Sequence, residues 1–114
     1  MQFTDRAPLY SLSRITGPTH NWLGLVIAPG PTNAEPEIEM LQLAVPAENA
    51  LDRHEVAAQV MLGVAQACAE LERAYYIEKI QYVDSDTGPV ETYRQLATHL
   101  IRRIDAKLHG DEPA

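Results

Sequence analysis

The chain has 114 residues, and its composition excludes several classes of protein. Sixteen Asp and Glu residues against nine Lys and Arg residues give a formal net charge of −7 at pH 7, which argues against binding to the phosphate backbone of nucleic acids. A single cysteine, Cys68, cannot form an intramolecular disulfide, and no apolar run approaches the roughly 18 residues of a membrane span. We therefore expect one domain over residues 1–110, a frayed tail over 111–114, a cytoplasmic location and no membrane contact.

The first half of the chain predicts three strands. Residues 9–15 alternate apolar and polar side chains, and residues 22–28 are apolar on both parities, as in an interior strand. Three prolines in the connection 29–36 exclude a two-residue hairpin turn and predict a stiff, extended segment. A third strand over 37–45 changes its apolar parity near Met40, which indicates either a bulge or a strand covered on both faces.

The second half predicts two helices separated by a strand. Apolar residues recur at helical spacing over 56–75, after a capping-box-like start at Asp52. This helix is longer than the predicted strands, so we expect it to overhang the sheet or to bend near Gly63. Residues 77–83 alternate as a fourth strand, and a second amphipathic helix covers 89–108.

The order of these elements predicts an α+β two-layer sandwich. It contains a mixed four-stranded sheet in the chain order β-β-β-α-β-α, with both helices on one face and the second face uncovered. The helix between the third and fourth predicted strands requires those two strands to be parallel. The sequence leaves open whether the fourth strand lies beside the third strand or beside the first.

No motif for reactive chemistry is complete. Residues 86–88, Asp-Thr-Gly, resemble the active-site triplet of aspartic proteases, but those enzymes are nearly all strand and usually have a small residue after the glycine, whereas here Pro89 and a predicted helix follow. Asp84 and Asp86 begin a calcium-loop-like pattern whose later positions do not match. The four histidines lack metal-ligand spacing, and no Gly-rich phosphate loop occurs. We therefore predict a protein without catalytic residues, a metal or a cofactor.

An acidic ladder is the main candidate for a binding surface. Glu35, Glu37 and Glu39 alternate, so in an extended segment all three side chains project from one face. Asp84 and Asp86 add to this surface if their turn lies nearby. Such charges can protect an edge strand from pairing, or they can form a docking surface for a basic protein.

The only tryptophan, Trp22, lies at the start of the second predicted strand beside polar residues. At such a position a tryptophan is either a lid on the core or an interface residue. The residues assigned to partner binding are therefore Glu35, Glu37, Glu39, Trp22, Asp84 and Asp86.

These observations predict a small acidic protein-binding module, an inhibitor or immunity-type protein that neutralises a basic toxin or nuclease. One alternative is a homodimeric or larger α+β enzyme or ligand-binding domain with a pocket at the subunit interface. For this alternative Gly63 and an apolar sheet face with Leu23, Leu25 and Ile27 would support self-association, and the residues of interest are Tyr10, Tyr82, His20 and Asp84. A second alternative is a structural subunit of a phage or secretion assembly.

Overall fold

A computed structural model describes residues 2–16, 19–41, 52–83 and 91–109, except for the side chains of residues 14–16 and 19–20. Within these ranges the chain forms five strands and two helices. In chain order they are β1 (Gln2–Arg6), β2 (Leu9–Thr16), β3 (Thr19–Ile27), β4 (Glu37–Leu41), α1 (Arg53–Leu71), β5 (Ile77–Val83) and α2 (Thr92–His109).

The strands form one mixed sheet in the spatial order β1-β2-β3-β5-β4. Strands β1, β2, β3 and β5 pair antiparallel, whereas β4 pairs parallel to β5, as the intervening helix requires. The prediction of an α+β fold with a mixed sheet and two helices is confirmed, but the prediction of four strands is wrong. The last strand along the chain, β5, lies between β3 and β4, so it neighbours the predicted third strand and also the second.

The additional strand, β1, has little local signal because its only large apolar residue is Phe3. It pairs with β2 across the turn at Ala7-Pro8, which contains a cis peptide bond. The Phe3 ring stacks on Tyr10 of β2 with 6.3 Å between ring centroids, and the Arg103 guanidinium of α2 lies 5.0 Å from the Phe3 centroid. Contacts from β2 and α2, rather than local alternation, therefore hold β1 in place.

Alternate side chains of the sheet divide into two faces. The core face carries the fully or almost fully buried residues Tyr10, Leu12, Leu23, Leu25, Ile80 and Tyr82. These residues belong to the same buried cluster as the apolar stripes of both helices, among them Val60 and Ile101. The opposite parity, which we call the outer face, carries Thr4, Ser11, Gly24, Gln81 and Glu39 as one cross-strand row.

The two helices lie side by side and run in the same direction, because Gly63, Glu70 and Arg73 successively meet residues 94, 102 and 105. At the first of these contacts a Cβ atom on Gly63 would lie 2.2 Å from the carbonyl oxygen of Arg94. Only glycine fits there without displacement of α2. Neither described helix is long and apolar enough to cross a membrane.

The structure also corrects the predicted end of α1. The helix begins as expected, since the Asp52 side chain accepts hydrogen bonds from the backbone N–H groups of His54 and Glu55. It ends at Leu71 rather than at residue 75, because Glu72 adopts a left-handed conformation with φ 56°. The predicted continuation of β4 to residue 45, the turn at 84–88, the start of α2 at Pro89 and the tail 111–114 lie outside the described residues.

Candidate functional site: an acidic edge and the outer sheet face

The outer face joins two of the residues proposed for partner binding, Trp22 and Glu39. A Cβ atom on Gly24 would lie 2.7 Å from Cη2 of the Trp22 indole and 3.2 Å from Oε1 of Gln81, so both side chains lie against this glycine. The Nε2 group of Gln81 in turn donates a hydrogen bond to Oε1 of Glu39. The indole, the amide and the carboxylate thus form a continuous strip across β3, β5 and β4.

Edge strand β4 carries two carboxylates on the outer face. Glu37 pairs in register with Lys79 of β5, and Glu39 pairs with Gln81. The Lys79 ammonium lies 3.6 Å from Oε2 of Glu37 and 3.9 Å from Oε2 of Glu39, so one cation is shared by two anions. The side chains of Glu37 and Glu39 remain 70% and 42% exposed, which leaves both able to contact a partner.

A β-bulge adds a further carboxylate, Glu78, to this region. The register between β3 and β5 shifts so that Val26 faces Lys79 whereas Ile27 faces Ile77, which leaves Glu78 unopposed and exposed. A cleft of about 640 Å³ lies between the start of β5 and the proline-containing connection between β3 and β4. Glu78 lines it from β5, and Glu35 lines it from the connection. We call Glu35, Glu37, Glu39 and Glu78, with Lys79 between them, the acidic edge.

The excess negative charge of the described side chains is concentrated at this acidic edge. Its four carboxylates are accompanied by one Lys, whereas the other described side chains comprise seven carboxylates and seven Lys and Arg groups. Several of those seven cations are paired directly, as in Arg102 with Glu70 at 2.6 Å and Lys107 with Asp5 at 3.4 Å. Away from the acidic edge, the described side chains are therefore balanced in number.

The structure brings together part of the predicted site. Glu37, Glu39 and Trp22 share the outer face, and Glu35 lies in the loop that leads into β4, where it lines a cleft together with Glu78. Asp84 and Asp86 lie outside the described residues, so their contribution stays a prediction. The residues that sequence reasoning missed are Glu78, Lys79 and Gln81.

Of these three residues, only Glu78 had a signal in the sequence. Ile77 and Ile80 are both buried although two residues separate them, a spacing that breaks strict alternation and indicates a bulge. The roles of Lys79 and Gln81 depend on which strand lies beside β5, and this cross-strand register is not contained in the local pattern.

A second polar cluster joins the carboxyl ends of the helices. Asp105, which is almost fully buried, accepts hydrogen bonds from Nη1 of Arg73 at 2.9 Å and from the Tyr75 hydroxyl at 2.5 Å. Burial alone would raise the pKa of Asp105, but the hydrogen bonds from Tyr75 and Arg73 and the charge of Arg73 outweigh it and lower the pKa. Burial, together with the hydrogen bond to Asp105, raises the pKa of Tyr75.

We call Asp105, Arg73 and Tyr75 the clasp, because their hydrogen bonds serve to hold two parts of the fold together. His109 lies one turn from Asp105, with Nε2 3.7 Å from Oδ1, but the carboxylate is already engaged by Arg73 and Tyr75. Within the described ranges no group of three His, Cys, Asp or Glu side chains could hold a metal ion. The clasp ties the segment after α1 to the last turns of α2.

Most of the described residues that were named for the homo-oligomeric alternative make contacts inside the single chain and not at its surface. Tyr10 and Tyr82 are buried in the core, and Leu23 and Leu25 are fully buried there. Gly63 contacts α2 within the chain. The expectation of an apolar sheet face available for self-association through Leu23 and Leu25 is therefore wrong. The side chain of His20 and all of Asp84 lie outside the described residues.

Comparison of the chain with protein-family models, with curated proteins and with solved structures gives no match.

Proposed function

We propose that this chain is a protein-binding module that docks a basic protein at its acidic edge, and that it acts as an inhibitor or immunity-type protein by covering a basic toxin or nuclease. The observation that carries the proposal is the uneven distribution of charge: four carboxylates are accompanied by one Lys at the acidic edge, whereas the remaining described side chains carry equal numbers of positive and negative groups. A cytoplasmic location belongs to the same proposal.

The geometry of the acidic edge supports docking in addition to simple protection of a strand. Two carboxylates would suffice to discourage strand pairing at β4, but Glu35 and Glu78 extend the negative charge around a cleft beyond the strand. Trp22 adds a large aromatic surface to the same face, and aromatic residues are enriched at the energetic centres of interfaces. The proposal includes the two-layer arrangement expected from the sequence, in which the helices cover the core face and leave the outer face to the partner.

Opposite potentials chiefly accelerate association and fix orientation. Binding through the acidic edge should therefore weaken as salt concentration rises, because the Debye length falls from about 10 Å at 0.1 M to about 3 Å at 1 M. A binding surface made mainly of apolar contacts would lack this dependence.

The test compares three immobilised baits: the wild-type chain, the reversal Glu37→Lys with Glu39→Lys, and the control reversal Glu72→Lys with Glu91→Lys. The two double variants change the net charge equally, and the control residues are exposed and do not belong to the acidic edge. Proteins retained from lysate are identified by mass spectrometry, and the dissociation constant of the purified candidate is measured at several NaCl concentrations.

We expect a basic protein to be retained by the wild-type and control baits, with at least about tenfold weaker binding to Glu37→Lys/Glu39→Lys. The proposal is refuted if the reversal at β4 leaves binding unchanged. It is also refuted if both double variants weaken binding equally, since net charge rather than the acidic edge would then be responsible.

A further inference from the structure

An apolar slot lies on the core side of edge strand β4. The slot has a volume of about 320 Å³ and lies between β4 and the first turns of α1, and its wall includes Pro36, Ile38, Ala57, Ala58 and Met61. Met61 is 37% exposed, so the helix does not close the slot. The inner side of β4 is therefore only partly covered, in contrast to the fully buried inner side of β5.

Strand β4 also terminates the sheet on this side, and no strand of the described residues pairs with its other edge. A peptide strand added there would lie about 4.8 Å from β4, with side chains that alternate between the two faces. Side chains of one parity would enter the slot. Those of the other parity would lie beside Glu37 and Glu39 on the outer face.

From this juxtaposition we infer that the partner binds by adding an extended segment to β4, with apolar and basic residues in alternation. This inference rests on the proposed function and specifies its binding mode. Charge complementarity selects the occupant: Glu37 and Glu39 share one ammonium on the β5 side, so their other side can accept Lys or Arg groups from an added strand. The slot accepts the aliphatic residues between them.

The probe is a fluorescein-labelled seven-residue peptide of alternating Lys and Val, with capped termini. A scrambled peptide of identical composition, with its valines consecutive, keeps the charge but carries both Lys and Val on each face of an extended strand. Binding of both peptides to the full chain is measured by fluorescence anisotropy at low and high salt. Two variants complete the design: Ala58→Leu, which fills the slot from an exposed position, and the control Ala65→Leu at another exposed position of α1.

We expect the scrambled peptide to bind at least about tenfold more weakly than the alternating one, because it cannot direct all of its valines into the slot while all of its lysines lie beside Glu37 and Glu39. Ala58→Leu should weaken binding of the alternating peptide by a similar factor, and Ala65→Leu should not. Equal binding of the two peptides, or normal binding to Ala58→Leu, would overturn the inference. If the basic protein captured above still requires Glu37 and Glu39 in that case, strand addition fails while the proposed function stands.

Discussion

The close contact between α1 and α2 at Gly63 allows a sharp test of the packing. The substitution Gly63→Ala adds one methyl group at a position where the nearest atoms belong to the backbone of the facing helix. The new Cβ would lie 2.2 Å from the Arg94 carbonyl oxygen and 2.9 Å from the Ala97 Cβ. A normal contact between carbon and a carbonyl oxygen is about 3.3–3.6 Å, so the helices must separate locally by about 1 Å.

The magnitude follows from three opposing contributions. Overpacking of a core costs typically about 1–3 kcal/mol, and the upper part of that range applies because a helical carbonyl cannot rotate away. The hydroxyl of Thr98, which lies 3.1 Å from the Gly63 carbonyl oxygen, loses a hydrogen bond worth about 1 kcal/mol, although the Arg94 carbonyl at 3.0 Å can replace it. Alanine in place of glycine returns about 1 kcal/mol of helix propensity. The net expectation is a destabilisation of about 2 kcal/mol.

Urea unfolding followed by circular dichroism measures this difference, and a thermal scan should show a fall of about 8 °C in Tm. Ala58→Gly, at an exposed position of the same helix, is the control and isolates helix propensity at about 1 kcal/mol of destabilisation. If Gly63→Ala instead stabilises the protein by about 1 kcal/mol, propensity alone governs the site. The close packing of the two helices would then be refuted.

Two further substitutions probe the outer face and the clasp. Gly24→Ala should displace the Trp22 indole, because its Cη2 atom would lie only 2.7 Å from the new Cβ. Trp22 is the only tryptophan, so its fluorescence emission should shift to longer wavelength and acrylamide should quench it more strongly. An unchanged emission spectrum would contradict the placement of the indole ring. Asp105→Asn should lower the free energy of unfolding by about 1–3 kcal/mol at pH 7, since Arg73 and Tyr75 lose a charged acceptor. The pKa of Asp105 is lowered in the folded state, so its stabilisation is present above the unfolded value of about 4 and is lost as pH falls through the folded value. Wild-type and Asp105→Asn proteins should therefore converge in acid, and an equal difference in urea unfolding at pH 7 and pH 2.5 would contradict this assignment.

The sequence predicted those elements in which burial of one face produces a regular pattern of apolar residues. Strand β5 was predicted with the observed bounds, and β2 and β3 were located to within a few residues at either end. The parallel pairing of β4 with β5 also followed from the intervening helix. In each case a regular apolar pattern reports directly which side faces the core.

The failures concern contacts made with distant parts of the chain. Strand β1 is held by β2 and by Arg103 of α2, which no local pattern reveals. Tyr75 fits the helical spacing of α1 but lies beyond the end of that helix, where its hydroxyl donates a hydrogen bond to Asp105 of the clasp. At the candidate site, Glu37 and Glu39 were found from their alternation, whereas Lys79 and Gln81 required the strand order.

The strand order has a consequence for how the molecule is assembled during its synthesis. Strands β3 and β4 are neighbours along the chain, yet β5 separates them in the finished sheet. On the ribosome, β3 therefore emerges long before the strand that completes its hydrogen bonding, and β4 emerges without any partner. A nascent or prematurely terminated chain that lacks residues 77–83 would present unsatisfied strand edges together with Leu23 and Leu25, and such chains should depend on chaperones to avoid aggregation.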